Sequence, residues 1–242
     1  MPEPDLPDPP AIELRGVRAA YGGIEVLHGI DLVVPAGSIV AILGPNGAGK
    51  TTTLKVVSGA LRPTGGSVLM EGHDVTGTSA DRLARAGLCL IPEGRGIFPN
   101  LTVRENILMD TFSAPGRSAR ELEEVAFSRF PRLGERRTQL AGTMSGGEQQ
   151  MLALARALTT EPAVILLDEL SMGLAPTIVS ELFEVVRSLA AEGITTVVVE
   201  QFAEVIAFAD QVAVMAQGRV RTVGTPEAVS EHLASTYLGA GA

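Results

Sequence analysis

A chain of 242 residues, 45% hydrophobic and 19% charged, has enough apolar material for one large domain or two small ones. Its formal net charge of −9 argues against nucleic acid or an anionic membrane surface as the main partner, although a local positive pocket remains compatible with that total. No apolar run approaches the ~18 residues of a membrane span, and no basic stretch followed by an apolar core marks a signal peptide. The single cysteine, Cys89, lies in the apolar run Leu88-Cys89-Leu90-Ile91 and is expected to be a reduced, buried core thiol.

Met1 to Pro10 is rich in Pro and Asp and is expected to be a disordered tail, leaving 11–242 as one domain. Ile12 to Arg18 alternates apolar and polar, as a half-exposed strand does. Tyr21-Gly22-Gly23 is a turn, and Glu25 to Val34 a second strand, broken by Pro35-Ala36-Gly37. Ser38 to Leu43 reads as a buried strand. Behind it stands Gly44-Pro45-Asn46-Gly47-Ala48-Gly49-Lys50-Thr51, which fits the phosphate-binding pattern G-x-x-x-x-G-K-[ST]. Glycines let successive N–H groups turn inward onto phosphate oxygens, and the helix expected over Lys50 to Val57 adds its positive end. Lys50 is of a length to reach the β- and γ-phosphates, and Thr51 offers a hydroxyl to Mg²⁺. Strand before and helix after make a chance match improbable.

Ser67 to Met70 is a short strand. The early strands lack intervening helices, which suggests a small antiparallel sheet beside the nucleotide core. Ser79 to Ala86 is a short helix, and Leu88 to Ile91 a strand ended by Pro92. From about Gly94 to Thr143 there is no strand signal, so this stretch reads as a helical insertion, with helices over Thr102 to Asp110 and Ala119 to Phe130. Glu121, Glu123 and Glu124 read as a solvated face and not as a metal site. Gly147 to Thr160 is a helix with Met151, Leu154, Ala155 and Leu158 on one face. Ala163 to Leu167 is a continuous apolar strand. Pro176 to Glu192 is a helix with Ile178, Leu182, Val185, Val186 and Leu189 inward, stopped by Gly193. Ile194 to Val199 is another buried strand, Phe202 to Ala209 a short helix, and Gln211 to Ala216 with Arg219 to Val223 a hairpin. Thr225-Pro226 opens a last helix. Alternating β and α units with all-apolar strands give a mostly parallel sheet covered on both faces.

Two further stretches carry chemistry. The strand ending in Leu167 runs into Asp168-Glu169. A carboxylate at the C-terminal end of a strand beside a phosphate loop is placed to hold Mg²⁺, which suits Asp168. Glu169, one residue on, is placed to orient or deprotonate an attacking water. Met144-Ser145-Gly146-Gly147-Glu148-Gln149 precedes an amphipathic helix and offers N–H groups, a hydroxyl and a helix N-terminus. Taken alone it also reads as an ordinary helix cap.

Together these residues resemble the ATP-binding cassette of the ABC transporter family, over nearly the whole chain from Ile12 to about Val223. The resemblance implies an α/β fold: a P-loop NTPase core with a mostly parallel sheet, an N-terminal antiparallel β subdomain and an inserted helical subdomain. It implies an ATPase using ATP and Mg²⁺, whose cofactor-binding positions run from Gly44 through Pro45, Asn46, Gly47, Ala48, Gly49, Lys50 and Thr51 to Thr52. Tyr21 stands where the family stacks an aromatic ring on adenine. Ser145, Gly147 and Glu148 belong to the family signature, which touches the γ-phosphate of ATP held by the other subunit of a head-to-tail pair. Ser171-Met172-Gly173-Leu174-Ala175 matches the loop that contacts that subunit.

Three positions depart from the family pattern. Glu93 replaces the usual Gln that meets Mg²⁺ and the attacking water, and Gln201 replaces the usual switch His. None of His28, His73 and His232 follows a core strand, so no switch His is expected and Glu169 is left as the base. Leu170 stands where the family has Pro and is expected to loosen the approach to the loop after it. Pro92-Glu93-Gly94-Arg95, Val199-Glu200-Gln201, the run from Tyr21 to Gly29 and Tyr237-Leu238-Gly239 are similar to the second ATP-binding subunit of branched-chain amino-acid importers. That branch implies a second ATPase subunit (a copy or a paralogue), two membrane permeases, an extracytoplasmic solute-binding protein, no nucleic acid, and a peripheral place on the cytoplasmic face of the inner membrane. Amide and urea importers use similar cassettes, and a non-transport ABC ATPase is the alternative class. Phe98, Leu101 and Arg104 would face the permeases, or simply pack the helical region.

Overall fold

The computed structural model describes residues 9–94, 96–109, 117–201 and 203–231. The expected disordered tail before Pro9, and the Tyr237-Leu238-Gly239 segment, lie outside them. Ten strands form two sheets. The first is antiparallel, in the order β2 (Ile24–Val34), β1 (Ile12–Tyr21), β4 (Gly65–Met70) and β5 (His73–Asp74). The second has the order β10 (Arg219–Gly224), β9 (Gln211–Ala216), β3 (Ile39–Leu43), β8 (Thr195–Glu200), β7 (Val164–Asp168) and β6 (Leu88–Ile91). All its neighbours are parallel except the β9–β10 hairpin.

The central strands are apolar on both faces because both faces are covered. On β3, Ile39, Ala41 and Leu43 enter one core while Val40 and Ile42 enter the other. On β7, Ile165 and Leu167 alternate with Val164 and Leu166 in the same way, as the twofold side-chain period of a strand requires. One core lies between this sheet, the antiparallel sheet and α1 (Lys50–Val57), which contributes Leu54, Val56 and Val57. The other is built with α6 (Gly146–Thr159), α7 (Pro176–Ala191) and the helices that precede α6.

Those earlier helices are α3 (Val103–Leu108), α4 (Ala119–Arg129) and α5 (Pro131–Glu135), which follow α2 (Ala80–Arg85) and β6. No strand is present among the described residues between β6 and β7, only an isolated bridge from Thr102 to Leu140. Leu122 and Ala126 of α4 are buried, and Glu123 pairs with Arg104 at 2.7 Å. Arg129 reaches across to Glu192 at the end of α7, tying α4 to the core.

Some buried faces differ from the periodicity reading. α6 is buried over most of its circumference: Leu152, Ala153 and Ala157 join Leu154, Ala155 and Leu158, while Met151 is only half-buried. The helix sits between the sheet and α3 and α4, so it has no free solvent face to pattern. On α7, Phe183 is fully buried and stacks on Phe208 with ring centroids 5.0 Å apart, whereas Ile178 and Val185 are half-buried. Cys89 is half-buried, beside a small surface cavity that it lines with Pro92 and Gly96, because only α6 covers that flank of the edge strand β6. The segment over residues 203–208 is a 3₁₀ helix, and residues 226–231 begin the last helix.

Candidate functional site

The C-terminal ends of β3, β7 and β8 converge, and the loops leaving them shape a cleft of about 350 Å³. Its floor is the backbone from Asn46 to Thr52, with Val26 on one side and Glu93, Glu169, Met172 and Gln201 on the other. Gly44 and Pro45 do not line the cleft but hold its lysine. Lys50 is only 5% exposed, and its ammonium donates to the carbonyls of Gly44 at 2.7 Å and Pro45 at 3.2 Å. Gly44 is needed for its size, since a Cβ there would stand 2.2 Å from the Met215 carbonyl oxygen. Gly49, with φ of 102°, turns the chain into α1 in a conformation that costs other residues energy.

The loop is also gripped from behind. The Gly218 N–H at the β9–β10 turn donates to the Ala48 carbonyl at 2.9 Å, and the Gly218 carbonyl accepts from His28 N–H at 2.9 Å. A Cβ on Gly218 would lie 2.0 Å from the Val26 carbonyl oxygen. The sequence shows Gln217-Gly218 only as a hairpin turn; nothing local marks it as a support for the phosphate loop.

Thr51 Oγ1 donates to Asp168 Oδ1 at 3.1 Å, which places the helix hydroxyl against the strand-end carboxylate. Asp168 is 4% exposed. Burial pushes its carboxyl above the ordinary range against the Thr51 hydrogen bond; the charges of Glu169 and Glu93 add to the rise and Lys50 opposes it. Asp168, Glu169 and Glu93 thus gather round a cleft with one buried lysine. That donor set fits a hard cation bound partly by phosphate oxygens, since Mg²⁺ takes one or two protein oxygens and the substrate's own. Among the described residues no three His, Cys, Asp or Glu side chains form an all-protein metal cage.

Glu169 adopts φ of 53°, a left-handed conformation unusual for its type. Its N–H donates to the Val199 carbonyl at 2.9 Å, and its Oε1 accepts from Gln201 Nε2 at 2.8 Å. Glu200, between those two, turns the other way: its Oε1 accepts from Ser171 N–H at 2.8 Å and its Oε2 from Ser171 Oγ at 2.7 Å. Glu200 is 2% exposed, and burial pushes its carboxyl up against the two Ser171 bonds, with the charge of Glu169 adding to the rise. Reading the chain as a string identifies Glu200 only as a neighbour of Gln201. Leu170 is buried in the core, in front of Ser171.

Ser145, Gly147 and Glu148 do not line the cleft. Ser145 caps α6 in a reciprocal box: its hydroxyl accepts from Glu148 N–H at 3.4 Å, and Glu148 Oε2 accepts from the Ser145 N–H at 2.9 Å. Arg136 pairs with the other Glu148 oxygen at 2.8 Å. Burial raises the Glu148 carboxyl, but the Ser145 donors and nearby arginines outweigh it and hold it below the ordinary range. Gly147 is a packing position, where a Cβ would lie 2.4 Å from Ile178 Cγ2. Tyr21, at the end of β1, is 43% exposed and outside the cleft lining, where Val26 stands instead.

A parallel sheet with a phosphate loop after β3 and a carboxylate pair after β7 defines a P-loop nucleotide-binding protein. A family model described as "ABC transporter" matches residues 27–171. The "High-affinity branched-chain amino acid transport ATP-binding protein BraG" of Pseudomonas aeruginosa is 40% identical over 226 residues, 92% of this chain and 97% of the relative. The "Glutamine transport ATP-binding protein GlnQ" of Escherichia coli is 33% identical over 234 residues, 94% of this chain and 96% of the relative. A crystal structure of the ADP conformation of an ATP-binding cassette superposes with a TM-score of 0.83 at 26% identity, covering 96% of this chain and 99% of the other. The dimeric post-hydrolysis state of another cassette, bound to ADP and Pi, gives 0.80 at 25% identity, covering 89% and 98%. The chain belongs to the ABC transporter family and is one of its ATP-hydrolysing cassettes.

Proposed function

We propose that this cassette energises import of branched-chain or other hydrophobic amino acids. Support comes from the 40% identity to BraG over almost the full length of both chains, and from Glu93 and Gln201 at two positions that face the cleft. The cassette sits peripherally at the cytoplasmic face of the membrane and is held there by permeases. No helix among the described residues is long and apolar enough to cross a membrane itself.

The observation that carries the mechanism is the set of bonds at the strand ends. The Asn46–Thr52 backbone and Lys50 bind the triphosphate, the lysine leaving the loop carbonyls that hold it here. Thr51, Asp168 and Glu93 would hold Mg²⁺, which would neutralise phosphate charge. Glu169 accepts the proton of the attacking water, oriented by the Gln201 amide. Gln201 cannot carry a proton, so it positions and does not titrate. Tyr21 would stack on the adenine ring, beyond the residues that line the cleft. Ser145 and Gly147 act on ATP bound by a second cassette, a role supported by their absence from this chain's own cleft and by the dimeric state of a related cassette.

Steady-state hydrolysis by the purified chain tests this. Glu169→Gln is expected to lower kcat by about 10²–10⁴-fold with nucleotide affinity retained; turnover near wild type overturns the base assignment. Leucine uptake by cells carrying Lys50→Ala in place of the wild-type cassette tests the transport reading, which predicts loss of uptake.

A further inference from the structure

We infer that Glu200 is a positioning residue for hydrolysis, holding the loop after Glu169 by its two bonds to Ser171 so that the Glu169 carboxylate faces the cleft. This rests on the reading of Glu169 as the base. Three consecutive residues at the end of β8 grip the chain leaving β7. The Val199 carbonyl takes the Glu169 N–H at 2.9 Å, Glu200 takes both the N–H and the hydroxyl of Ser171, and Gln201 donates to Glu169 Oε1 at 2.8 Å. Glu169 stands between the Val199 and Ser171 attachments with φ of 53°, a conformation that persists only where its surroundings impose it.

Glu200 is 2% exposed, so its carboxylate is costly to bury; it meets the two Ser171 donors and the Gln201 N–H while lying close enough to Glu169 to feel its charge. An apolar side chain would fill that place in the core more cheaply, yet it would leave the Ser171 N–H without an acceptor. Glu200 also pairs in register with Leu43, the last strand residue before the phosphate loop. Its backbone therefore belongs to the strand beside the nucleotide, while its side chain holds the loop on the opposite side. Met172, next after Ser171, lines the cleft, so slack at Ser171 would reach the cleft wall as well as the base.

The test is ATP hydrolysis by the purified full-length chain, with kcat and KM separated and nucleotide-binding stoichiometry used to count folded sites. Wild-type turnover lost in Glu169→Gln establishes the underlying reading; retention of turnover there overturns the base assignment and this inference with it. With that established, Glu200→Ala is expected to lower kcat per binding site on the order of 10- to 100-fold while KM stays within about twofold. Glu200→Gln is expected to recover to within about threefold of wild type, because its amide oxygen still accepts the Ser171 N–H and its NH₂ can donate to the hydroxyl. Ser171→Ala, which loses one bond of two, should fall between them and serves in place of Glu200→Ala if that chain does not fold. Adding Glu200→Ala to Glu169→Gln should cost no further activity, since no base is left to position. Wild-type kcat per site in Glu200→Ala, a parallel rise in KM, or losses that multiply in the double variant would overturn the inference.

Discussion

Asp168 closes β7 with its carboxylate 4% exposed and with Glu169 and Glu93 near enough to raise its proton affinity. A cation bound beside it would favour the ionised carboxyl. The folded chain holds the Asp168 proton more tightly than the unfolded chain, whose ordinary value is 3.8. The stability linked to this group is therefore fully present below that value and is lost as pH rises through the raised folded value. Asp168→Asn keeps an acceptor for Thr51 Oγ1 and removes the charge. At pH 7, without nucleotide or Mg²⁺, it should melt higher than wild type by about 2–4 °C for each kcal/mol relieved, the reverse of its expected loss of hydrolysis. The difference should close as pH is lowered toward 4, by calorimetry across pH; a variant that melts lower at pH 7 contradicts the argument. Gly44 gives a second single-residue expectation. Gly44→Ala would drive a methyl toward the Met215 carbonyl oxygen, now 2.2 Å from the Cβ position, displacing the loop from β9. Nucleotide affinity measured by titration should fall by about 5- to 150-fold if overpacking costs of about 1–3 kcal/mol fall on the bound state.

At the scale of the element, the start of α6 answers to two demands. Ser145 and Glu148 cap the helix reciprocally, and Arg136 secures Glu148. Glu148→Ala should lower the unfolding free energy by about 1 kcal/mol, the usual size of a lost cap, while Glu148→Gln retains the box and most of the stability. Denaturant unfolding of the two variants separates these outcomes, and equal destabilisation by both would move the contribution to the Arg136 ion pair. The cap was legible in the sequence because Ser-x-x-Glu before a helix is a local pattern. So were β3, β7 and β8, whose apolar runs fit a sheet covered on both faces, and the Gly44–Thr51 loop, whose chemistry is contiguous. What the string conceals is set by distant chain. Asn106 is wholly buried and bonds the N–H and carbonyl of Phe98 and the carbonyls of Leu101 and Thr102, stitching the loop after Gly96 to α3. An asparagine on a short helix reads as surface until the loop folds over it. Gly147 reads as a ligand, and its contact with Ile178 lies on a helix that begins 29 residues later. The same holds for Glu200 and Gly218, whose partners are Ser171 after β7 and Ala48 and His28 of the phosphate loop and β2.

In the proposed reading the chain carries both halves of a composite site: the phosphate loop with Glu169 lines the cleft, and the Ser145 cap lies outside it. On that proposal a second chain supplies the missing half, and in a twofold pair each supplies what the other lacks. This makes complementation a sharper test than any single loss. Lys50→Ala removes a phosphate-binding cation but leaves the Ser145 face intact. Ser145→Arg disrupts that face but leaves Lys50 and Glu169 intact. Each variant alone should hydrolyse ATP at a small fraction of the wild-type rate. Mixed in equal amounts, half of the pairs carry one variant of each kind, and in those pairs one site of two unites an intact loop with an intact cap. Activity should return to about a quarter of wild type if sites act independently, and to less if both must fire together. The recovered rate should fall on dilution, since pairing is bimolecular and two chains of net charge −9 repel at long range. Recovery without concentration dependence would mean a pair that stays associated over the range tested. No recovery, with each variant folded, Ser145→Arg still binding nucleotide and the wild type active alone, would place both halves of each site on one chain; a wild-type chain inactive alone would assign the second half-site to a paralogous cassette.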